Sequence, residues 1–212
     1  MASRNNILVF DSDYRKSPEH PFPCPSQDAE DVFYHLFAQP NKYHLSHIFL
    51  SGFSAGGNLA LTTAAYLGPD KIKAVVGFYP SVDLTKQPPA APETKFLSGI
   101  ALSPKLRALF YEAYVPAGEP LANPRISAAY AQTDAFPKHV LVVCGNADVL
   151  YTPCEDFVNR LKKDGHPDAE FVGVEFENHG FDVGARDGTE TGEKKDKVYK
   201  AAVDLIDKAL IL

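Results

Sequence analysis

Only three cysteines occur in 212 residues, Cys24, Cys144 and Cys154, and no two are spaced as C-x-x-C. Neither a disulfide framework nor a thiolate zinc site follows from such a set. Cys144 lies inside the apolar run Val140-Leu141-Val142-Val143-Cys144, where a small buried hydrophobe is the expected role. No uninterrupted apolar stretch approaches the length of a membrane span, and no signal peptide is expected before Asn5. Basic residues never cluster beyond pairs such as Lys162-Lys163 and Lys194-Lys195, and the net charge is -6. Nucleic acid and anionic membrane surfaces are therefore poor partners, and a reduced, cytoplasmic location is expected. What remains is ordinary for a globular chain: 45% apolar and 23% charged residues, enough for one domain with a sizeable core.

Short apolar runs alternate with longer amphipathic ones. Ile7-Leu8-Val9-Phe10 reads as a strand, and the Pro-rich Ser17 to Pro23 as loop. Gln27 to Ala38 reads as a helix, with Ala29, Val32, Phe33, Leu36 and Phe37 on one face. A strand is expected at Ile48 to Leu50, a helix at Asn58 to Leu67, and a fully covered strand at Ile72 to Tyr79. Residues 81 to 136 break the rhythm: many prolines, no convincing strand, and one helix at Pro104 to Tyr114. They read as an insertion over the sheet edge, not a second domain, so residues 1 to 212 form one domain. The rhythm resumes with a strand at Val140 to Cys144, a helix at Pro153 to Lys163, a strand at Glu170 to Phe176 and a helix at Lys194 to Leu210. This alternation predicts an α/β fold, a mostly parallel sheet flanked by helices.

Gly52-Phe53-Ser54-Ala55-Gly56 matches G-x-S-x-G between an apolar run and a helix-forming one. On a sharp strand-to-helix turn, Ser54 would be pushed clear of the backbone, with the Ala55 N–H free to stabilise an oxyanion. The same residues also suit a plain turn whose serine only caps the helix. A carboxylate and then a histidine at later strand ends would separate the two readings. Asp148 follows Val140 to Cys144, and His179 follows the run that ends at Phe176. Strand ends are where open α/β sheets place their sites. His179 would take the proton of Ser54 while Asp148 holds the imidazole. Asp156 is an alternative acid, and Asp182 lies too near His179 in sequence to be favoured as its orienter. His44 with His47, and Asp11 with Asp13, lack converging partners for a metal, so no metal site is expected.

Several ordered segments make the chain resemble the hormone-sensitive-lipase-like branch of the α/β-hydrolases, which includes arylacetamide deacetylases and bacterial esterases. Asp13-Tyr14-Arg15-Lys16-Ser17-Pro18-Glu19-His20-Pro21-Phe22-Pro23 resembles that family's segment after its fourth strand. Gly52 to Asn58 resembles its nucleophile motif, with Phe53 where Asp or Glu is usual. Asn123-Pro124-Arg125-Ile126-Ser127, Gly145 to Leu150 and His179-Gly180-Phe181 resemble its later blocks. The resemblance implies a Ser54, Asp148, His179 triad that hydrolyses esters with small or medium acyl groups through an acyl-enzyme. No cofactor is implied. It also makes residues 81 to 136 a cap-like insertion, with Phe53, Phe96, Leu97, Phe110 and Tyr111 as candidate pocket walls beside Leu106.

The family's His-Gly-Gly-Gly oxyanion motif is not found in this sequence, which leaves Ala55 as the identified donor. By this resemblance the chain corresponds to a partial α/β-hydrolase fold without the first three strands and the N-terminal part of the cap. Ile7 to Phe10 would then dock directly against the Ile48 strand, pair with another chain, or stay unpaired. An exposed sheet edge invites a homo-oligomer. The second functional reading is a weak or inactive relative that serves as a ligand- or protein-binding module.

Overall fold

The computed structural model describes residues 7–86 and 97–211. In chain order its elements are α1 (Cys24–Phe37), β1 (Phe49–Phe53), α2 (Ala55–Leu67), β2 (Ala74–Phe78), α3 (Pro104–Tyr114), β3 (His139–Gly145), α4 (Tyr151–Lys163), β4 (Ala169–Val174) and α5 (Glu190–Leu210). Two 3-10 turns, Ala128–Tyr130 and Thr133–Ala135, precede β3. The four strands form one parallel sheet in the order β1-β2-β3-β4. This is the expected α/β architecture, a parallel sheet flanked by helices.

β2 and β3 are buried along their whole length because both faces of the sheet are covered. α2 packs on β1 and β2, α4 on β3 and β4, and α5 reaches β2 and β3. Leu61, Ile72, Val75, Leu141, Val142 and Val158 are fully enclosed in the resulting core. Each such side chain contributes about 1.5–3 kcal/mol relative to exposure.

Helix ends follow local chemistry. Ser103 accepts the Leu106 N–H at 3.2 Å, and Pro104 occupies the first turn, so α3 starts where the sequence signals it. α5 starts four residues earlier than the apolar stripe suggests. Thr189 accepts the Gly192 N–H at 3.1 Å, and Glu190 and Glu193 favour the positive helix end. α1 likewise begins at Cys24, with Pro25 in its first turn.

Ile7 to Phe10 is not a strand, contrary to the expectation. The segment pairs with none of the four strands, and Leu8 and Val9 are 68% and 56% exposed. An apolar run becomes a strand only where its N–H and C=O groups meet a partner. This segment does not join the open edge of β1, and Phe10 packs edge-on against Tyr43 at 5.3 Å. The stretch between β2 and β3 contains no named strand among its described residues, as expected. Its Leu84 and Ile126 form a small apolar cluster with Phe22, flanked by Tyr111 and Tyr114. Among the described residues, no helix is long and apolar enough to cross a membrane.

At the other end of the sheet from the candidate site, Asp168 accepts from His139 Nδ1 and, at 2.8 Å, from Lys208 Nζ. Burial raises the Asp168 carboxyl, but the Lys208 and His139 contacts outweigh it and hold it below its usual range. A depressed carboxylate stabilises the fold above its unfolded pKa, and that stabilisation disappears as pH falls through the folded value. Asp168→Asn is therefore expected to cost on the order of 1–3 kcal/mol at neutral pH. The difference from wild type should close as pH falls from about 5 towards 3, read by urea unfolding at each pH.

Candidate active site

β1 turns into α2 through Ser54, whose φ of 51° and ψ of -118° lie in a region unfavourable for a residue with a Cβ. Such strain costs about 1–3 kcal/mol and persists only where the surroundings impose it. Here they do: the Ser54 N–H donates to the Phe78 carbonyl at 2.9 Å, and its own carbonyl accepts the Asn58 N–H at 3.0 Å. Strand and helix meet closely at Gly52, where a Cβ would lie 2.2 Å from the Gly56 carbonyl oxygen. Asn58, buried behind the turn, donates to the Ser81 and Ile126 carbonyls at 2.6 and 2.8 Å. That ties the start of α2 to the stretch following β2.

Ser54 stands at the N-cap of α2 without making a side-chain capping bond. Its Oγ lies 2.8 Å from His179 Nε2 instead. The capping role that the sequence left open is thus not the one adopted. His179 Nδ1 lies 2.7 Å from Asp148 Oδ2. A carboxylate only accepts, so Nδ1 carries the proton and Nε2 presents its lone pair to the serine hydroxyl. The Asp148 side chain is fully buried, and its Oδ1 accepts the Leu150 N–H at 3.0 Å.

Backbone contacts hold the acid and histidine loops together. The Ala147 N–H donates to the Glu177 carbonyl at 3.0 Å, and Asn146 Oδ1 accepts the Phe176 N–H at 2.7 Å. A Cβ at Gly145 would lie 2.2 Å from the Glu177 carbonyl oxygen, so only glycine allows this approach. The Glu177 side chain is buried, accepting from Thr191 Oγ1 at 2.9 Å and lying 3.4 Å from Lys194 Nζ.

The two other carboxylates weighed as acids lie elsewhere. Asp156 is exposed and pairs with Lys86 at 3.1 Å. Asp182 accepts from the Tyr79 hydroxyl at 2.7 Å and the Tyr199 hydroxyl at 2.6 Å. Burial first, and this carboxylate second, push both phenols above their usual range. The Tyr79 ring, at a residue with φ of 39°, then stands edge-on to His179 at 4.8 Å. Asn58, Tyr79, Glu177 and Asp182 all brace the site, yet their spacing in the sequence gives no sign of it. Only the contacts do.

Ala55 is the first residue of α2, where helix N–H groups have no intrahelical acceptor. Phe53 is 43% exposed beside the turn and stacks on Phe78 at 4.6 Å. Tyr111 is half-buried and its hydroxyl meets Ser81 Oγ at 2.8 Å, while Phe110 and Leu97 are exposed. Phe96 lies outside the described residues. His44 and His47 stack on each other at 5.7 Å, and no group of three or more potential metal ligands occurs among the described residues. The three cysteines are free, and burial pushes the Cys144 thiol well up.

A serine, an imidazole and a carboxylate in one hydrogen-bonded row, set at strand ends, form the arrangement that activates a hydroxyl for acyl transfer. Known proteins of similar sequence and structure carry related names. A putative alpha/beta hydrolase, R526, of Acanthamoeba polyphaga mimivirus is 30% identical over 180 residues, which cover 79% of this chain and 50% of the viral protein. Gibberellin receptor GID1B of Arabidopsis thaliana is 27% identical over 168 residues, covering 75% of this chain and 47% of the receptor. The chain thus spans about half the length of these curated relatives. The solved hyperthermophilic esterase from Pyrobaculum calidifontis superposes with a TM-score of 0.78 at 29% identity, over 93% of this chain and 63% of the esterase. A family model described as alpha/beta hydrolase fold matches residues 1–183, the stretch that holds the strand-to-helix serine, the buried acid and the histidine. With its parallel sheet and that row of side chains, the chain belongs to the alpha/beta hydrolase fold family.

Proposed function

We propose that this chain is a serine hydrolase of carboxylic esters with small or medium acyl groups. The observation that carries the proposal is the row Ser54 Oγ, His179 Nε2, His179 Nδ1, Asp148 Oδ2, with contacts of 2.8 and 2.7 Å. Ser54 Oγ attacks the ester carbonyl carbon as its proton passes to His179 Nε2, and Asp148 steadies the imidazolium. The carbonyl electrons move to an oxyanion facing the Ala55 N–H. Collapse breaks the bond to the alcohol, which leaves with the proton from Nε2. Water then attacks the acyl-enzyme, Nε2 takes its proton, and the carboxylic acid departs as Ser54 regains its hydrogen.

Phe53, Leu97, Phe110 and Tyr111 are the proposed apolar walls, with residues 81–136 acting as the cap. The Ala55 N–H is the proposed oxyanion donor, and one such donor is worth about 10²–10³ in turnover. The proposal extends to a cytoplasmic setting, which suits three free thiols. It also extends to a second copy paired along the outer edge of β1, with sedimentation as the check.

A second reading, a binding module without turnover, draws on the similarity to a plant protein named as a gibberellin receptor. A fluorophosphonate separates the two. The hydrolase reading expects one covalent adduct, mapped by mass spectrometry to the peptide carrying Ser54, and cleavage of p-nitrophenyl acetate or butyrate. Folded protein that takes up no label and cleaves neither ester would end the hydrolase reading.

A further inference from the structure

We infer that residues 97–100, in the stretch between β2 and β3, act as a positioning strap for His179. The inference rests on the hydrolase reading for its functional meaning, but its geometry stands alone. Four hydrogen bonds join the strap to the histidine loop on both sides of the imidazole-bearing residue. The Leu97 N–H donates to the Phe176 carbonyl at 2.7 Å, and the Asn178 N–H to the Ser98 carbonyl at 3.0 Å. The Ile100 N–H donates to the carbonyl of His179 itself at 2.8 Å. Ser98 Oγ donates to the Phe181 carbonyl at 3.1 Å. Ser98 pairs in parallel with Glu177, and Ile100 pairs antiparallel with His179, so the strap reverses its relation to the loop within three residues.

Gly99 makes that reversal feasible. Its φ is +97°, and a Cβ there would lie 2.6 Å from the Asn178 carbonyl carbon and oxygen and 2.7 Å from the His179 carbonyl oxygen. Those obstacles are backbone atoms and cannot swing aside. From the acid loop, Ala147 and Asn146 hold the same segment through the Glu177 carbonyl and the Phe176 N–H. The histidine loop is therefore held by both the acid loop and the strap. With one support lost, the imidazole is free to drift from its 2.8 Å approach to Ser54 while Asp148 and Ser54 stay in place. The strap also begins with exposed Leu97, which gives the stretch between β2 and β3 a direct mechanical connection to the base.

Gly99→Ala is the test. A displacement of about 1 Å at a reacting group lowers turnover by about 10²-fold, so kcat should fall by roughly 10- to 100-fold. KM for a short ester should stay within about threefold, because Gly99 is not among the proposed pocket walls. The far-downfield NMR signal of the His179 Nδ1 proton, shared with Asp148, should shift or broaden. That signal needs no substrate. If wild type hydrolyses nothing, the functional reading fails while the strap is still tested. A folded Gly99→Ala protein with an unchanged signal would overturn the inference, as would an unchanged kcat in an active enzyme. If that variant does not fold, hydrogen exchange on wild type decides instead. The amides of Leu97, Asn178 and Ile100 should be protected, and exchange at the rate of an unstructured chain would overturn the strap.

Discussion

Replacing Ser54 with alanine is expected to lower ester turnover by about 10⁴- to 10⁶-fold and to abolish fluorophosphonate labelling, with little loss of stability. The hydroxyl makes no capping bond and its known partner is the imidazole, so its removal costs the fold one contact and the chemistry its nucleophile. His179→Ala should fall nearly as far, because an unassisted serine hydroxyl is a poor nucleophile. Asp148→Asn should lower kcat by about 10³- to 10⁴-fold. An amide that donates towards Nδ1 favours the tautomer with the proton on Nε2, which cannot accept from Ser54. The acid is also fully buried and held by the Leu150 N–H, so the loop should keep its shape in this variant. Combining the substitutions should add little to the largest single loss, since the three groups act as one unit. Steady-state kinetics on each purified variant provides the check. Losses that multiply, or a Ser54→Ala enzyme retaining wild-type turnover, would show that the nucleophile lies elsewhere.

Gly52→Ala should cause a large loss of stability for one added methyl group. The new Cβ would meet the Gly56 carbonyl oxygen at 2.2 Å and the Gly57 nitrogen at 2.7 Å. Both belong to the first turn of α2, so β1 and the helix must separate and Ser54 moves with them. Overpacking against rigid backbone costs about 3 kcal/mol at the upper end of its usual range. For a chain of this length that is a fall in Tm of roughly 6–12 °C. The second glycine of the same motif behaves oppositely, because a Cβ at Gly56 would meet nothing within 4 Å. Gly56→Ala should leave Tm within a few degrees of wild type or raise it slightly, through reduced freedom of the unfolded chain. Thermal unfolding of the pair is the measurement. Equal effects would mean that the close approach at Gly52 does not govern this turn.

The two glycines also show where a pattern stops being informative. G-x-S-x-G reads the same at both ends, yet only Gly52 lies against backbone.

Elements with strong local signals were legible in the sequence. β2 and β3 announce themselves because two-sided burial makes nearly every position apolar, and α3 because Ser103 and Pro104 mark its start. The order of serine, acid and histidine along the chain, each just beyond an apolar run, was enough to nominate Ser54, Asp148 and His179. Local pattern failed where pairing decides. Ile7 to Phe10 has the composition of a strand, but composition cannot supply a neighbour, and the segment stays outside the sheet. The choice of Asp148 over Asp156 and Asp182 was likewise tertiary, since it depends on which carboxylate the fold turns towards Nδ1 and which it gives to Lys86 or to two tyrosines. The strap at residues 97–100 and the brace at Glu177 belong to the same class. Most of the strap's hydrogen bonds, and the Glu177 carbonyl's bond to Ala147, join backbone groups, across about 80 positions in the strap, so no side-chain pattern records them. The sequence by itself determined which groups are available for chemistry, and only the folded chain decided which of them meet.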